Sequence, residues 1–141
     1  MRDIIMKEIT IFARDRVGLL ADITEMMGEN GINIEFLSGE AVAGIAVLHM
    51  TFSNELAAVS LLEKAGFTVI SSEILVLRIP NKPDEIGKIS RMLSEEGISI
   101  QNIYFMGEKA KHGFFAVKVD KHEYAKEILK KYVSNRKIGS G

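Results

Sequence analysis

The sequence contains an internal repeat, and this repeat constrains the fold more than any other feature. When the sequence is displaced by 66 positions, residues 15–37 align with residues 81–103. Unrelated segments of this length would match at roughly one or two positions, so the chain is read as a tandem duplication. Beyond residue 39 the displacement that pairs Gly44 with Gly113 is 69, which predicts three inserted residues near 107–112. The identical pairs are Ile23/Ile89, Met26/Met92, Glu29/Glu95, Gly31/Gly97, Ile32/Ile98 and Ile34/Ile100.

Each copy repeats the same succession of residue patterns. Alternating apolar residues predict strands, and apolar residues at three- and four-residue steps predict amphipathic helices. Gly31 and Gly97 follow the last helical turn, where a left-handed cap residue is expected. We predict strands at 8–13, 32–36, 44–52 and 67–70 and helices at 19–27 and 54–64, with their counterparts at 74–79, 98–102, 113–119, 86–93 and 123–132.

This order predicts an α+β fold of two ferredoxin-like βαββαβ modules in tandem. Right-handed crossovers place both helices on one face of each antiparallel sheet. We predict that the modules span residues 1–70 and 71–141. Because no Pro-, Gly- or Ser-rich linker separates them, we expect a tight join. The fourth strand of the second module is doubtful, since residues 133–138 are short and polar, and residues 139–141 are expected to be a disordered tail.

Composition excludes several classes of protein. Apolar residues make up 47% of the chain and charged residues 26%, as in soluble globular proteins. The net charge of −1 argues against nucleic-acid binding, and the absence of Cys removes disulfides and thiolate metal sites. There is no signal peptide and no apolar stretch near the roughly 20 residues that span a bilayer. We therefore expect a cytoplasmic protein with no membrane partner.

The helix-free face of the predicted sheets is unusually apolar. The alternation places Phe12, Val47, Ile74, Val76 and Phe114 on this face. A sheet face open to water would be more polar, so we expect it to be covered by the other copy or by another chain. The sequence thus favours a homo-oligomer.

The loop after the first strand resembles the ACT domain pattern. Residues 15–20 read Asp-Arg-Val-Gly-Leu-Leu, and the Gly-Ile-Asn-Ile step follows at 31–34. The second copy reads Asn-Lys-Pro-Asp-Glu-Ile at 81–86 and Gly-Ile-Ser-Ile at 97–100. The resemblance covers about residues 7–132. It implies a stand-alone tandem ACT protein, a non-catalytic and allosteric regulator that binds a small molecule, usually an amino acid, between two modules.

The resemblance also implies where a ligand would lie. The family places it against the first loop of one module and near the second strand. By position, the candidate ligand-binding residues are Asp15, Arg16, Val17, Gly18, Leu19, Asn33 and Ile34 in the first copy, and Asn81, Lys82, Pro83, Asp84, Glu85, Ser99 and Ile100 in the second.

Physical chemistry supports the loop as a binding site. A loop that enters a helix presents free N–H groups and the positive end of the helix dipole, which suit a carboxylate. Gly18 allows close approach of a ligand, and Asp15 could accept hydrogen bonds from an ammonium group. Both copies depart from the family pattern, with Val17 in place of Pro and Asp84 in place of Gly. Because Asp84 would repel a carboxylate and could itself cap the helix, we rank the first loop as the better site.

Plainer roles remain open for the same residues. Asp15 and Asn81 could be helix caps, Gly18 a turn residue, and Asn33 a turn hydrogen-bonder. The three histidines lack metal-ligand spacing, so we predict no metal. The sequence has no Ser–His–Asp order, no paired carboxylates in an identifiable cleft and no phosphate-binding glycine run, so we predict no cofactor and no catalytic residues. The alternative function is a regulatory subunit that binds an amino-acid biosynthetic enzyme, such as acetolactate synthase, without a small ligand. RNA binding is a weaker third reading, because the basic surface that it requires is missing.

Overall fold

The structure is a computed structural model that describes residues 6–134. These residues form two compact units, Lys7–Ser72, here called module 1, and Met6 with 73–134, here called module 2. The elements are β1 (Met6–Arg14), α1 (Leu19–Glu29), β2 (Ile34–Val42), β3 (Ile45–Phe52), α2 (Glu55–Lys64), β4 (Thr68–Pro80), α3 (Glu85–Glu95), β5 (Ile100–Lys109), β6 (His112–Val119) and α4 (His122–Ile128). The predicted α+β fold with two ferredoxin-like modules is confirmed.

Module 1 is a sheet with the strand order β2-β3-β1-β4. The strands β1 and β3 are antiparallel, with Arg14 opposite Ile45, and β2 pairs with β3 in the same manner. Helix α1 forms because its apolar residues recur on one side, and it ends where Gly31 adopts a φ of 67°. The core lies between helices and sheet and contains Ile9, Ile11, Leu19, Ile23, Met27, Ile32, Ala46, Leu48, Met50, Phe52, Ala58 and Leu62.

Module 2 repeats this plan with the strand order β4-β6-β5. Gly97, with a φ of 69°, ends α3 as Gly31 ends α1. Of the doubtful fourth strand, the described residues 133–134 contribute an isolated bridge between Val133 and Leu77, beside which the Arg78 amide donates to the Tyr132 carbonyl at 2.7 Å. The remainder of the doubtful strand and the tail, 135–141, lies outside the described residues.

The join between the copies is a strand. The predicted strands at 67–70 and 74–79 are parts of the single 13-residue strand β4. Helix α4 is shorter than predicted, since it ends at Ile128 rather than near residue 132.

The predicted displacement of 69 beyond residue 39 is wrong. The β2–β3 turn is Ala43-Gly44 and the β5–β6 turn is Ala110-Lys111, all with positive φ. These turns, the starts of β3 and β6 and the starts of α2 and α4 are each 67 positions apart. The second copy therefore gains one residue, and β5 accommodates it with a register shift between Phe105 and Gly107.

The apolar helix-free face is largely buried in module 2. Ile74, Val76 and Ala116 are each at most 4% exposed and cluster with Met6. In module 1 the same face keeps Phe12 37% exposed. None of the helices among residues 6–134 is long and apolar enough to cross a membrane.

Candidate ligand-binding site

The first bend, residues 15–18, joins β1 to α1. Its start is fixed because the Asp15 amide donates to the Gly44 carbonyl at 2.9 Å, which ties the bend to the β2–β3 turn. Arg16 pairs with Asp22 at 2.6 Å across the first turn of α1, and Val17 is fully exposed. The bend is thus a defined, solvent-facing backbone structure with an apolar side chain at its tip.

Gly18 is the N-cap residue of α1 and has a φ of 86°. This left-handed conformation costs glycine little and other residues more. No side chain caps the helix, and the first helical bond runs from Asp22 to Gly18. The amides of Leu20 and Ala21 consequently lack acceptors within residues 6–134.

Asp15 is an exposed residue at the start of the same bend. Its side chain is not a helix cap, because the N-cap position belongs to Gly18, three residues later. Within the described part of the chain its carboxylate has no hydrogen-bond partner. Free N–H donors and a free acceptor at one bend complement the two charged groups of a zwitterion.

The second bend, residues 81–84, has the same backbone path. The Asn81 amide donates to the Lys111 carbonyl at 2.9 Å, which corresponds to the Asp15–Gly44 bond. Asp84 is the N-cap residue of α3 with a φ of 76°, and its carboxylate makes no capping bond. Of the two residues considered as caps, neither Asp84 nor Asn81 caps α3 with its side chain.

Side chains occupy the second bend more fully than the first. The Asn81 side-chain amide donates to Glu108 at 2.5 Å, and Glu85 pairs with Lys88 at 3.5 Å. The Lys82 amide donates to the Pro80 carbonyl at 2.8 Å, while Pro83 is exposed. A carboxylate ligand would meet Asp84 here, where the first bend offers Gly18.

The predicted polar residues of the second strands lie just before β2 and β5. The Asn33 amide donates to the Ser53 hydroxyl and the Ser99 amide donates to Asp120, both at 2.9 Å. Their side chains are exposed, so it is the backbone that holds these positions. Ile34 and Ile100 pack against the module cores and support the strands rather than facing solvent.

One module does not bring its bend and its β2 start together. The bend lies beside Gly44, at the beginning of β3, whereas Asn33 pairs with Ser53, just past its end. Gly44 and Ser53 flank the eight residues of β3, so these positions are separated by roughly 30 Å along the strand. A single amino acid therefore cannot contact both kinds of position within one module.

Other surface features lie away from the bends. A groove of about 480 Å³ runs beside α2 and includes Lys7, Leu56 and Ser71. On α4, Tyr124 donates a hydrogen bond to Glu96 at 2.6 Å, and this bond with the negative charge raises the pKa of Tyr124 above 10. Sequence reasoning missed a group of possible metal ligands, Glu73, His122 and Glu123, because 49 positions separate the first two.

Comparisons with known proteins agree with the fold. The chain matches the ACT domain pair family over residues 4–138. A crystallised protein of Bacteroides thetaiotaomicron is similar with a TM-score of 0.84 and 22% identity, over 94% of this chain and 93% of that one. The regulatory subunit of aspartate kinase from Thermus thermophilus is similar with a TM-score of 0.63 and 17% identity, over 91% of this chain and 90% of that one. The search of curated proteins finds no match.

The family match spans nearly the whole chain and coincides with both repeats. The similarity to the solved structures supports the same fold at low identity. This chain belongs to the ACT domain family and consists of a pair of ACT domains.

Proposed function

We propose that this protein is a non-catalytic regulator that binds a free amino acid at the first bend, between ACT modules of two copies of the chain. The observation that carries the proposal is the composition of that bend, which combines a left-handed glycine with two amides and a carboxylate that have no hydrogen-bond partner among residues 6–134. Free amino acids are cytoplasmic metabolites, which fits the location expected from the sequence.

The ligand chemistry follows from the donors and acceptors. The α-carboxylate would accept from the amides of Leu20 and Ala21 at the positive end of α1. The ammonium group would donate to Asp15. Val17, which is fully exposed and apolar, would contact the ligand side chain.

A second module completes the site. Since Asn33 and the bend of its own module are roughly 30 Å apart along β3, a polar contact from a β2 start has to come from elsewhere. Both modules leave equivalent apolar side chains exposed, Leu20 and Leu37 in one and Ile86 and Ile103 in the other. A second copy of the chain would cover such residues, so we infer a homodimer.

Regulation would follow from ligand binding between modules. A ligand that prefers one packing of the modules shifts the population towards it, by as much as its affinity for the two packings differs. A partner enzyme of amino-acid biosynthesis would respond to that packing. Support for this comes from the fold, which resembles regulatory subunits of aspartate kinase.

The second candidate is a regulatory subunit that binds its enzyme without a small ligand. The exposed apolar residues on the edge strands β2 and β5 favour this reading, because they suit a protein partner as well as a second copy. The two candidates differ in whether any amino acid binds the isolated chain.

A thermal-shift panel over the common amino acids tests the proposal. A ligand at 100 times its dissociation constant adds about 2.7 kcal/mol, which raises the melting temperature by roughly 10 °C for a chain of this size. Gly18→Val and Asp84→Val form a matched pair, because both place a branched side chain on a left-handed N-cap. We expect the first to abolish the shift and the second to preserve it.

Two results would contradict the proposal. If no amino acid shifts the wild-type melting temperature, the ligand-free subunit is favoured. If Asp84→Val weakens binding more than Gly18→Val does, the ranking of the two bends is wrong.

A further inference from the structure

We propose that Glu73, His122 and Glu123 form a binding site for a divalent transition-metal ion. The three residues lie in module 2, and one ligand atom from each falls within 4.8 Å of the others. His122 Nε2 is 3.3 Å from the nearer carboxylate oxygen of Glu73. This site is separate from both bends and does not depend on amino-acid binding.

The backbone brings these residues together. In the antiparallel pair of β4 and β6, Leu75 lies opposite Val117, so Glu73 is level with the end of β6. The chain then turns directly into α4, whose first two residues are His122 and Glu123. The cluster therefore depends on strand register and a helix start, and not on a chance meeting of long side chains.

The negative charge of the cluster favours the binding of a cation. Within residues 6–134 neither Glu73 nor Glu123 pairs with a lysine or arginine. Two carboxylates beside an imidazole bring a formal charge of about −2, which a divalent ion neutralises. The Nδ1 atom of His122 is buried and has no hydrogen-bond partner among residues 6–134, and the ring presents Nε2 to the Glu73 carboxylate.

The ligand set favours a transition metal over Ca²⁺ or Mg²⁺. Those ions prefer oxygen ligands alone, whereas imidazole combined with carboxylate suits Zn²⁺ and its neighbours. Two ligands about 2.1 Å from a tetrahedral Zn²⁺ lie roughly 3.4 Å apart, close to the 3.3 Å between Nε2 and the Glu73 oxygen. Three protein ligands leave one position for water or another small ligand. A bound ion would fasten the start of α4 to β4.

Calorimetric titration of the tag-free, EDTA-treated chain with Zn²⁺ tests the site. We expect one Zn²⁺ per chain and weaker binding of Mg²⁺. His122→Gln and Glu73→Gln should each reduce the affinity for Zn²⁺ by about tenfold or more. His112→Gln, in the β5–β6 hairpin, and Glu127→Gln, on α4 itself, are the matched controls and should change it by less than about twofold.

A second readout does not depend on variants. Co²⁺ bound to the wild-type chain should give the intense visible absorption of four- or five-coordinate cobalt, and Zn²⁺ should displace it. Absence of Zn²⁺ binding, unchanged affinity in both His122→Gln and Glu73→Gln, or the weak spectrum of octahedral Co²⁺ would each overturn the proposal. Circular dichroism of each variant establishes that a loss of binding is not a loss of fold.

Discussion

Gly18 and Asp84 have nearly the same backbone conformation, but this conformation costs the two residues different amounts of free energy. Both residues precede a helix in the left-handed region, with φ values of 86° and 76°. An L-residue in this region loses roughly 1–2 kcal/mol relative to its favoured conformations, while glycine does not. Because Asp84 makes no capping bond that would offset this cost, the second bend is a strained position in module 2.

Asp84→Gly should therefore stabilise the protein by about 0.5–1 kcal/mol, since relief of strain exceeds the added entropy of the unfolded chain. The midpoint of urea unfolding should rise with an unchanged slope. Asp84→Ala keeps a Cβ at the same φ and serves as the control without this gain. A midpoint that rises equally in both variants would show that the carboxylate, and not the backbone, is the source of the instability.

Tyr124 provides a pH-dependent prediction. The pKa of its phenol is raised first by the hydrogen bond to Glu96, then by desolvation and by the negative charges of Glu96 and Glu127. A raised pKa favours the protonated folded form, so this contribution to stability is complete below pH 10 and is lost as pH rises through the folded-state pKa. Ultraviolet difference titration should show the pKa of Tyr124 falling in Glu96→Gln and falling less in Glu127→Gln. Equal falls would contradict the hydrogen bond as the main cause.

At the scale of elements, the caps at the starts of α2 and α4 differ. The Asn54 side chain accepts a hydrogen bond from the Ala57 amide at 3.1 Å, whereas Lys121, at the equivalent position, provides no such bond to α4. Lys121 instead donates to the Gly97 carbonyl at 3.1 Å. α2 is also longer than α4, with 10 residues against seven.

Asn54→Ala should destabilise the protein by about 1 kcal/mol, because the first turn of α2 loses its side-chain acceptor. Chemical denaturation measures the change. Asn54→Ser retains an acceptor and should remain within a few tenths of a kcal/mol of the wild type. A loss of the same size in the serine variant would mean that the cap is not the cause.

Much of the element order could be predicted from periodicity, and the exceptions have physical reasons. Apolar residues that alternate or recur at helical spacing indicate which side of an element is buried. The elements of the repeats at 15–37 and 81–103 could therefore be predicted from the sequence. The exception is the β5–β6 hairpin of the second copy. Glycine is the residue that usually marks a left-handed turn, but Ala110 and Lys111 form the turn here, so a match of glycines misaligns the two hairpins.

The two candidate sites differ in how far the sequence alone could predict them. The first bend is contiguous in sequence, so its polar and glycine residues could be named in advance. Glu73 and His122 meet only through the pairing of β4 with β6, which spacing along the chain does not reveal. The separation of Asn33 from its own bend likewise follows from strand direction, and not from local sequence.

At the scale of the whole molecule, association with a second copy is the prediction. The strands β2 and β5 end the sheet order, so their outer backbone groups have no strand partner among the described residues. Edge strands that also expose apolar side chains, as Leu37 and Ile103 do, favour pairing with another chain.

The mass in solution should therefore be about twice the 15.6 kDa of one chain, and light scattering after size exclusion measures it. Leu37→Glu should shift the equilibrium towards the monomer, since it places a charge on the edge strand β2. Leu56→Glu, at an 80% exposed position on α2, should not. A wild-type chain that stays monomeric at high concentration would exclude the homodimer.

Under the proposed function, the unequal N-caps set an upper limit on how sharply the protein responds to an amino acid. If only the bend with Gly18 binds, each chain provides one binding bend. A dimer then binds two amino acids rather than four. The Hill coefficient of such a dimer cannot exceed two, because cooperativity is bounded by the number of sites. A pair of modules with one left-handed glycine would thus give a more graded response than a pair with two.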